Sequence, residues 1–237
     1  KGKDSTLELK IGSTDDIRTW EEVTLLYHAA LKQMNTKISI LNDEFHQVHR
    51  YNPIEHTKAR MKTPESIVKK LKRHGYESTI ENMVKYVNDI AGIRIICSFT
   101  SDIYRIADMI SNQGDVHVIA VRDYIMNPKT SGYRSYHMVI TVPVYLSDRI
   151  IDVRVEVQIR TVAMDFWASL EHKIRYKFEG NAPTHINAEL FECSHMVSEL
   201  DSRMMQLNEE IQQLAGEKEE PEEEESLEED GNQEESI

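Results

Sequence analysis

From Ile150 to Arg160 the chain alternates without a break: Ile151, Val153, Val155, Val157 and Ile159 interleave with Asp152, Arg154, Glu156, Gln158 and Arg160. A period of two is that of a β-strand, so the five apolar side chains share one face of a sheet and the five polar ones share the other. The apolar face demands a covering layer. The polar face suits solvent, as in most antiparallel sheets. It suits equally a cleft that handles phosphate and metal, because acid, base, acid, amide and base succeed one another along it.

Other segments supply the rest of a sheet. Asn88–Phe99, with Ile93, Ile95 and Ile96, reads as a buried first strand, Val116–Val121 as a second, and Tyr136–Val142 as a third closed by Pro143, which makes Ile150–Ile159 the fourth. A helix capped by Ser101 is predicted over Asp102–Ser111, and another opens at Thr161 and runs through Trp167, Leu170 and Ile174. Asn127-Pro128 and Gly132 mark a loop.

Both ends read as long helices. Ile17, Trp20, Thr24, Tyr27, Leu31, Met34, Ile38, Leu41, Phe45 and Val48 follow a 3,4 spacing, with Ser13 or Thr14 as cap and Asp15 and Asp16 in the first turn. Leu190, Cys193, Val197, Leu200, Met204, Leu207, Ile211 and Leu214 repeat that spacing until Gly216 stops it. Each stripe suits either the protein's own core or an oligomer contact. The fold class expected is α+β, a mostly antiparallel or mixed β-sheet flanked by long N- and C-terminal helices. Residues 13–215 are expected to form a single domain, with helical flanks 13–50 and 185–215 around a core over 51–178, and residues 1–12 to be disordered.

The formal net charge of -13 over 237 residues is unevenly spread. Twelve of the 41 acidic residues but one of the 28 basic ones, Lys218, lie beyond Gly216, which leaves 29 acids against 27 bases over residues 1–215. A run such as Glu222–Glu225 repels itself and buries no apolar area, so residues 216–237 are expected to be an acidic disordered tail. No stretch approaches the roughly 18 uncharged apolar residues of a membrane span. Two cysteines, Cys97 and Cys193, form neither a disulfide framework nor a C-x-x-C zinc site. The expectation is a cytoplasmic protein with no membrane partner.

Within the near-neutral body, Arg50–Arg73 holds Arg50, Lys58, Arg60, Lys62, Lys69, Lys70, Lys72 and Arg73 against Glu55 and Glu65. Such clustering suits a polyphosphate or a nucleic-acid backbone alike. Pro64 after Thr63 begins a helix whose first amides could also meet an anion. A third clue is Lys129-Thr-Ser-Gly-Tyr-Arg-Ser-Tyr-His137, where Gly132 allows close approach, Lys129, Arg134 and His137 are cationic donors, and an exposed Tyr133 offers a flat ring for a purine. The common nucleotide signatures G-x-x-x-x-G-K-[ST], G-x-G-x-x-G and H-R-D are absent from the sequence.

Five segments in order carry a resemblance: Arg60-Met-Lys62-Thr-Pro-Glu-Ser66-Ile, Asp89-Ile-Ala-Gly-Ile-Arg94, Gly132-Tyr-Arg-Ser-Tyr-His137, Glu156-Val-Gln-Ile-Arg-Thr161 and Trp167-Ala-Ser-Leu-Glu-His-Lys173. Together they resemble the synthetase domain of the RelA/SpoT family, whose core is nucleotidyltransferase-like. The helical flanks resemble its stand-alone small alarmone synthetases. Asn52-Pro-Ile-Glu-His-Thr-Lys58 and the acidic end look most like the RelP-type branch.

The resemblance implies transfer of the β,γ-pyrophosphate of ATP to the ribose 3′-hydroxyl of GDP or GTP, giving AMP and ppGpp or pppGpp. It implies Asp89 and Glu156 as the catalytic carboxylates and the holders of Mg²⁺, with Glu156 also orienting or deprotonating the 3′-hydroxyl. For ATP it implies Arg60 and Arg94 stacked on adenine, and Lys62, Ser66 and Arg73 on the phosphates. For GDP or GTP it implies Tyr133 on the base, with Lys129, His137, Arg122 and Gln158 on phosphates or ribose. A homotetramer, no stable nucleic-acid partner and no hydrolase activity follow from the same likeness; the sequence holds no His-Asp dipeptide. Asp165 stands where other small synthetases often have Asn. A non-catalytic nucleotide or RNA binder is the alternative, and the two acids beside a polyanion site weigh against it.

Overall fold

The computed structural model describes residues 19–178 and 183–216. They run in the order α1 (Trp20–His49), β1 (Ile54–Met61), α2 (Pro64–Arg73), α3 (Ile80–Tyr86), β2 (Ala91–Cys97), α4 (Thr100–Ser111), β3 (His117–Asp123), β4 (Tyr136–Tyr145), β5 (Ile150–Thr161), α5 (Val162–Lys177) and α6 (Thr184–Gly216).

The alternating segment is β5, and it occupies the middle of a five-stranded sheet of order β1-β2-β5-β4-β3. β2 runs parallel to it and β4 antiparallel, while β1 and β3 pair antiparallel at the two edges, so the sheet is mixed. Val153, Val155, Val157 and Ile159 are buried together with Ile93, Ile95, Met138, Ile140 and Val142 on one face. α1 and α4 supply the covering layer that the alternation requires.

The stripe on α1 faces this core. Tyr27, Leu31, Met34, Ile38, Leu41 and Phe45 are buried, and so are Val23, Leu26 and Ala30 beside them. A sheet is broad, and a helix lying on it buries an arc wider than a two-position seam. The cap is Thr19, whose hydroxyl accepts from the Glu22 N–H at 3.1 Å; Ser13, Thr14, Asp15, Asp16 and Ile17 lie outside the described residues. α2 starts as expected, with Thr63 as N-cap and Pro64 in its first turn.

Several elements differ from the sequence reading, among them α3, which the sequence reading left unassigned, and β5, which runs on to Thr161 where a helix was expected to open. β1 falls in a segment read for its charge and its resemblance but not as a strand; it is a largely exposed edge strand, so no apolar alternation betrays it. β4 continues through Pro143 to Tyr145, because β3 pairs only as far as Thr141 and a proline beyond that point lies where one side of the strand is free. α4 begins at Thr100 rather than after Ser101, and the Asp102 carboxylate accepts from the Phe99 N–H at 3.2 Å across its first turn.

Candidate active site

Pairing across the sheet lines up the polar residues of its open face in two rows. Lys58, Arg94, Gln158, His137 and Arg122 stand opposite one another on β1, β2, β5, β4 and β3. The next row holds Arg60, Gly92, Glu156 and Val139. Directly paired residues project to the same side, so five strands deliver cations, an amide and a carboxylate to one surface. Over it opens a cavity of about 160 Å³ lined by Lys58, Arg60, Asp89, Gly92, Ile93, Arg94, Glu156 and Gln158.

The two acids meet there from distant parts of the chain. Asp89 stands in the turn just ahead of β2, and Glu156 lies in the middle of β5 rather than near its end. Lys62 and Lys70 donate to the two oxygens of Asp89 at 2.6 and 2.8 Å. Burial pushes the Asp89 carboxyl up, but these hydrogen bonds and charges outweigh it and hold the group below its ordinary value. For Glu156, burial and the charge of Asp89 push up, while the contacts with His137 and Gln158 prevail and lower it. Gln158 donates to Glu156 at 2.9 Å, and His137 Nδ1 lies 3.7 Å from its other oxygen. Both acids are therefore anionic at neutral pH. Two hard oxygen donors of this kind suit a divalent cation that takes its remaining ligands from phosphate and water. Among the described residues no group of three or more His, Cys, Asp or Glu forms a closed metal site.

Tyr133 departs from expectation in being half-buried rather than exposed. Its hydroxyl sits 2.9 Å from His137 Nε2 and accepts from Arg160 at 2.5 Å. Lys129 Nζ lies 4.6 Å and the Arg160 guanidinium 5.0 Å from its ring centre, so cations already gather over the ring. The phenol oxygen thus meets a guanidinium donor on one side and His137 Nε2 on the other, while His137 Nδ1 faces Glu156. Gly132 positions this loop: its φ is +87°, and a Cβ there would fall 2.1 Å from Ser194 Oγ on α6.

Of the residues singled out from the sequence, Arg60, Asp89, Arg94, Glu156 and Gln158 line the cavity. Lys62, His137 and Tyr133 join it through direct contacts, Lys129 covers the Tyr133 ring, and Arg122 follows His137 in the row. Ser66 bonds Thr63 at the start of α2, and Arg73 stands exposed in its last turn, both outside the lining. Sequence reasoning named Lys70 in the basic segment and Arg160 on the polar strand face but gave neither a role in the site. Lys70 was legible: one helical turn beyond Ser66 and three residues before Arg73, it shares their face. Arg160 was not, because its period places it on the open face, yet α5 folds back over that end of the sheet and buries it to 4% exposure.

A family described as "Region found in RelA / SpoT proteins" matches residues 59–181. GTP pyrophosphokinase YwaC of Bacillus subtilis is 45% identical over 209 residues, which span 86% of this chain and 100% of that protein. The crystal structure of small alarmone synthetase 2 from Bacillus subtilis, also 45% identical, superposes with a TM-score of 0.74 over 81% of this chain and 98% of that one. Small alarmone synthetase 1 of the same organism, bound to its product pppGpp, is 35% identical and superposes with a TM-score of 0.75 over 81% and 98%. The chain belongs to the RelA/SpoT family, and within it stands with the small alarmone synthetases.

Proposed function

We propose that this protein is a GTP pyrophosphokinase, transferring the β,γ-pyrophosphate of ATP to the ribose 3′-hydroxyl of GDP or GTP and releasing AMP with ppGpp or pppGpp, the alarmones of the stringent response. The carrying observation is that Asp89 and Glu156 line one cavity on a sheet face crossed by rows of cations. A site for polyanion binding alone would gain nothing from two ionised acids, whereas pyrophosphoryl transfer needs anionic donors beside cationic ones.

On this reading the acceptor O3′ attacks the β-phosphorus of ATP, and the bond from that phosphorus to the oxygen shared with the α-phosphate breaks. Arg60 and Arg94 stack on adenine, while Lys62, Ser66 and Arg73, joined by Lys70, hold the phosphates. Tyr133 stacks on guanine, and Lys129, His137, Arg122 and Gln158 hold the acceptor's phosphates or ribose. Glu156, kept ionised and weakly basic, accepts the hydrogen bond of the 3′-hydroxyl, orients it, and takes the proton late in the transfer. Asp89 and Glu156 would hold Mg²⁺, whose charge neutralises phosphate oxygens when it is bound.

Several finer features belong to the same proposal. Residues 13–215 act as one synthetase domain in the cytoplasm; among the described residues no helix is long and apolar enough to cross a membrane. The protein assembles as a homotetramer through the seam of α6, whose Leu200, Met204, Leu207, Ile211 and Leu214 are half or more exposed. The decisive experiment incubates the protein with ATP, GDP or GTP and Mg²⁺ and follows AMP. AMP is expected in step with a 3′-pyrophosphorylated guanosine nucleotide. Tight nucleotide binding without AMP would make the protein a binder instead. Glu156→Gln is expected to abolish turnover while keeping ATP affinity within a few fold.

A further inference from the structure

We propose that Asp165 couples the two nucleotide pockets, so that ATP and the guanosine acceptor strengthen each other's binding; the inference rests on the pocket assignment above. Asp165 lies in the first turn of α5, and one of its oxygens, Oδ1, serves two cations: Arg160 Nη1 at 2.9 Å and Arg94 Nη1 at 3.2 Å. Arg94 lines the cavity on the ATP side. Arg160 is buried and holds the acceptor side, donating to the Tyr133 hydroxyl, to Gln158 Oε1 at 3.2 Å and to Ser135 Oγ at 3.4 Å. A buried guanidinium requires its counter-charge, and a single oxygen shared between two guanidiniums binds each less tightly than one alone.

Adenine on the planar face of Arg94 leaves its edge N–H groups on Oδ1 and excludes water from that pair, so Asp165 is held in place for Arg160. Asp165 then fixes Arg160, and through it the phenol of Tyr133, in the position on which guanine stacks. The linkage is reciprocal by thermodynamic necessity, and couplings of this kind change affinity by about 5- to 150-fold.

The test titrates GDP, in Mg²⁺, with and without a saturating α,β-methylene analogue of ATP, in the wild type and in Asp165→Asn and Asp165→Glu. The wild type is expected to bind GDP at least about fivefold more tightly with the analogue present, and the analogue more tightly by the same factor with GDP present. Asp165→Asn keeps the shape but loses the charge; its ratio is expected to fall to near one, and Asp165→Glu to restore part of it. A merely structural role would weaken each nucleotide alone and leave the ratio intact, and that outcome overturns the proposal. So does a wild-type ratio of one, which needs no variant to fold. Failure of the wild type to bind either nucleotide would instead overturn the assignment of the pockets.

Discussion

Carboxylates in this protein fall into two groups according to what surrounds them. Asp89 and Glu156 are held below the ordinary values of 3.8 and 4.5 by their partners, so the stability they confer is present above those values and is lost only as pH falls through the folded pKa. Asp201 is the opposite case. It is buried on α6 with its carboxylate accepting from Thr161 Oγ1 at 2.6 Å, and burial raises its pKa despite that bond. Its stabilising share is complete below the unfolded pKa and disappears as pH rises through the folded one. Asp201→Asn keeps an acceptor for Thr161 and removes the ionisation, so Tm at pH 8 is expected to rise. The gain should vanish near pH 4; a constant gain would mean that ionisation is not the cause. For Tyr133, base stacking worth about 1–3 kcal/mol predicts that Tyr133→Ala raises the KM for GDP or GTP by about 5- to 150-fold, with the KM for ATP much less affected. Tyr133→Phe keeps the ring and loses only the bonds to Arg160 and His137, so its KM should rise less. A Tyr133→Ala defect confined to ATP would reverse the two pockets.

Elements place these residues by what they dock against. The loop between β3 and β4 is anchored by Gly132, which combines a left-handed φ with close approach to Ser194 and Phe191 of α6. Gly132→Ala adds a methyl group to a filled space in a conformation that L-residues avoid, and it is expected to cost at least about 1–3 kcal/mol. Because the loop carries Tyr133, the KM for the acceptor should rise too. Adding Ser194→Gly removes the atoms in the way, and thermal unfolding of the double variant should recover part of the loss; no recovery would leave backbone strain as the whole cause. β5 was legible over Ile150–Ile159, two residues short of its end at Thr161, since its alternation encodes both its type and its open face. β1 was not, because an exposed edge strand has no buried face to pattern.

At the scale of the molecule, two stripes with the same spacing have different fates. That of α1 is buried under the sheet as far as Phe45, with Val48 exposed at its end, whereas that of α6 is buried only at its start, where Leu190 packs with Trp167 and the Trp167 indole donates to the Leu190 carbonyl at 2.9 Å. Leu200 and Leu207 remain 56% and 51% exposed. Leu200→Glu with Leu207→Glu is therefore expected to lower the mass measured by light scattering without lowering Tm. An unchanged mass would show that this seam is not where copies meet.

Periodicity, charge and ordered motifs are properties of neighbours along the chain. By themselves they determined the α+β class, the two-faced central strand, the long flanking helices and the residue types of the site. Which stripe meets the core, which strands lie beside β5, that Lys62 and Lys70 close on Asp89, and that one oxygen of Asp165 serves two arginines were decided only in the tertiary structure. Burial and ion pairing depend on groups brought together from far apart in sequence, and strand order and register, which no local pattern encodes, choose those partners.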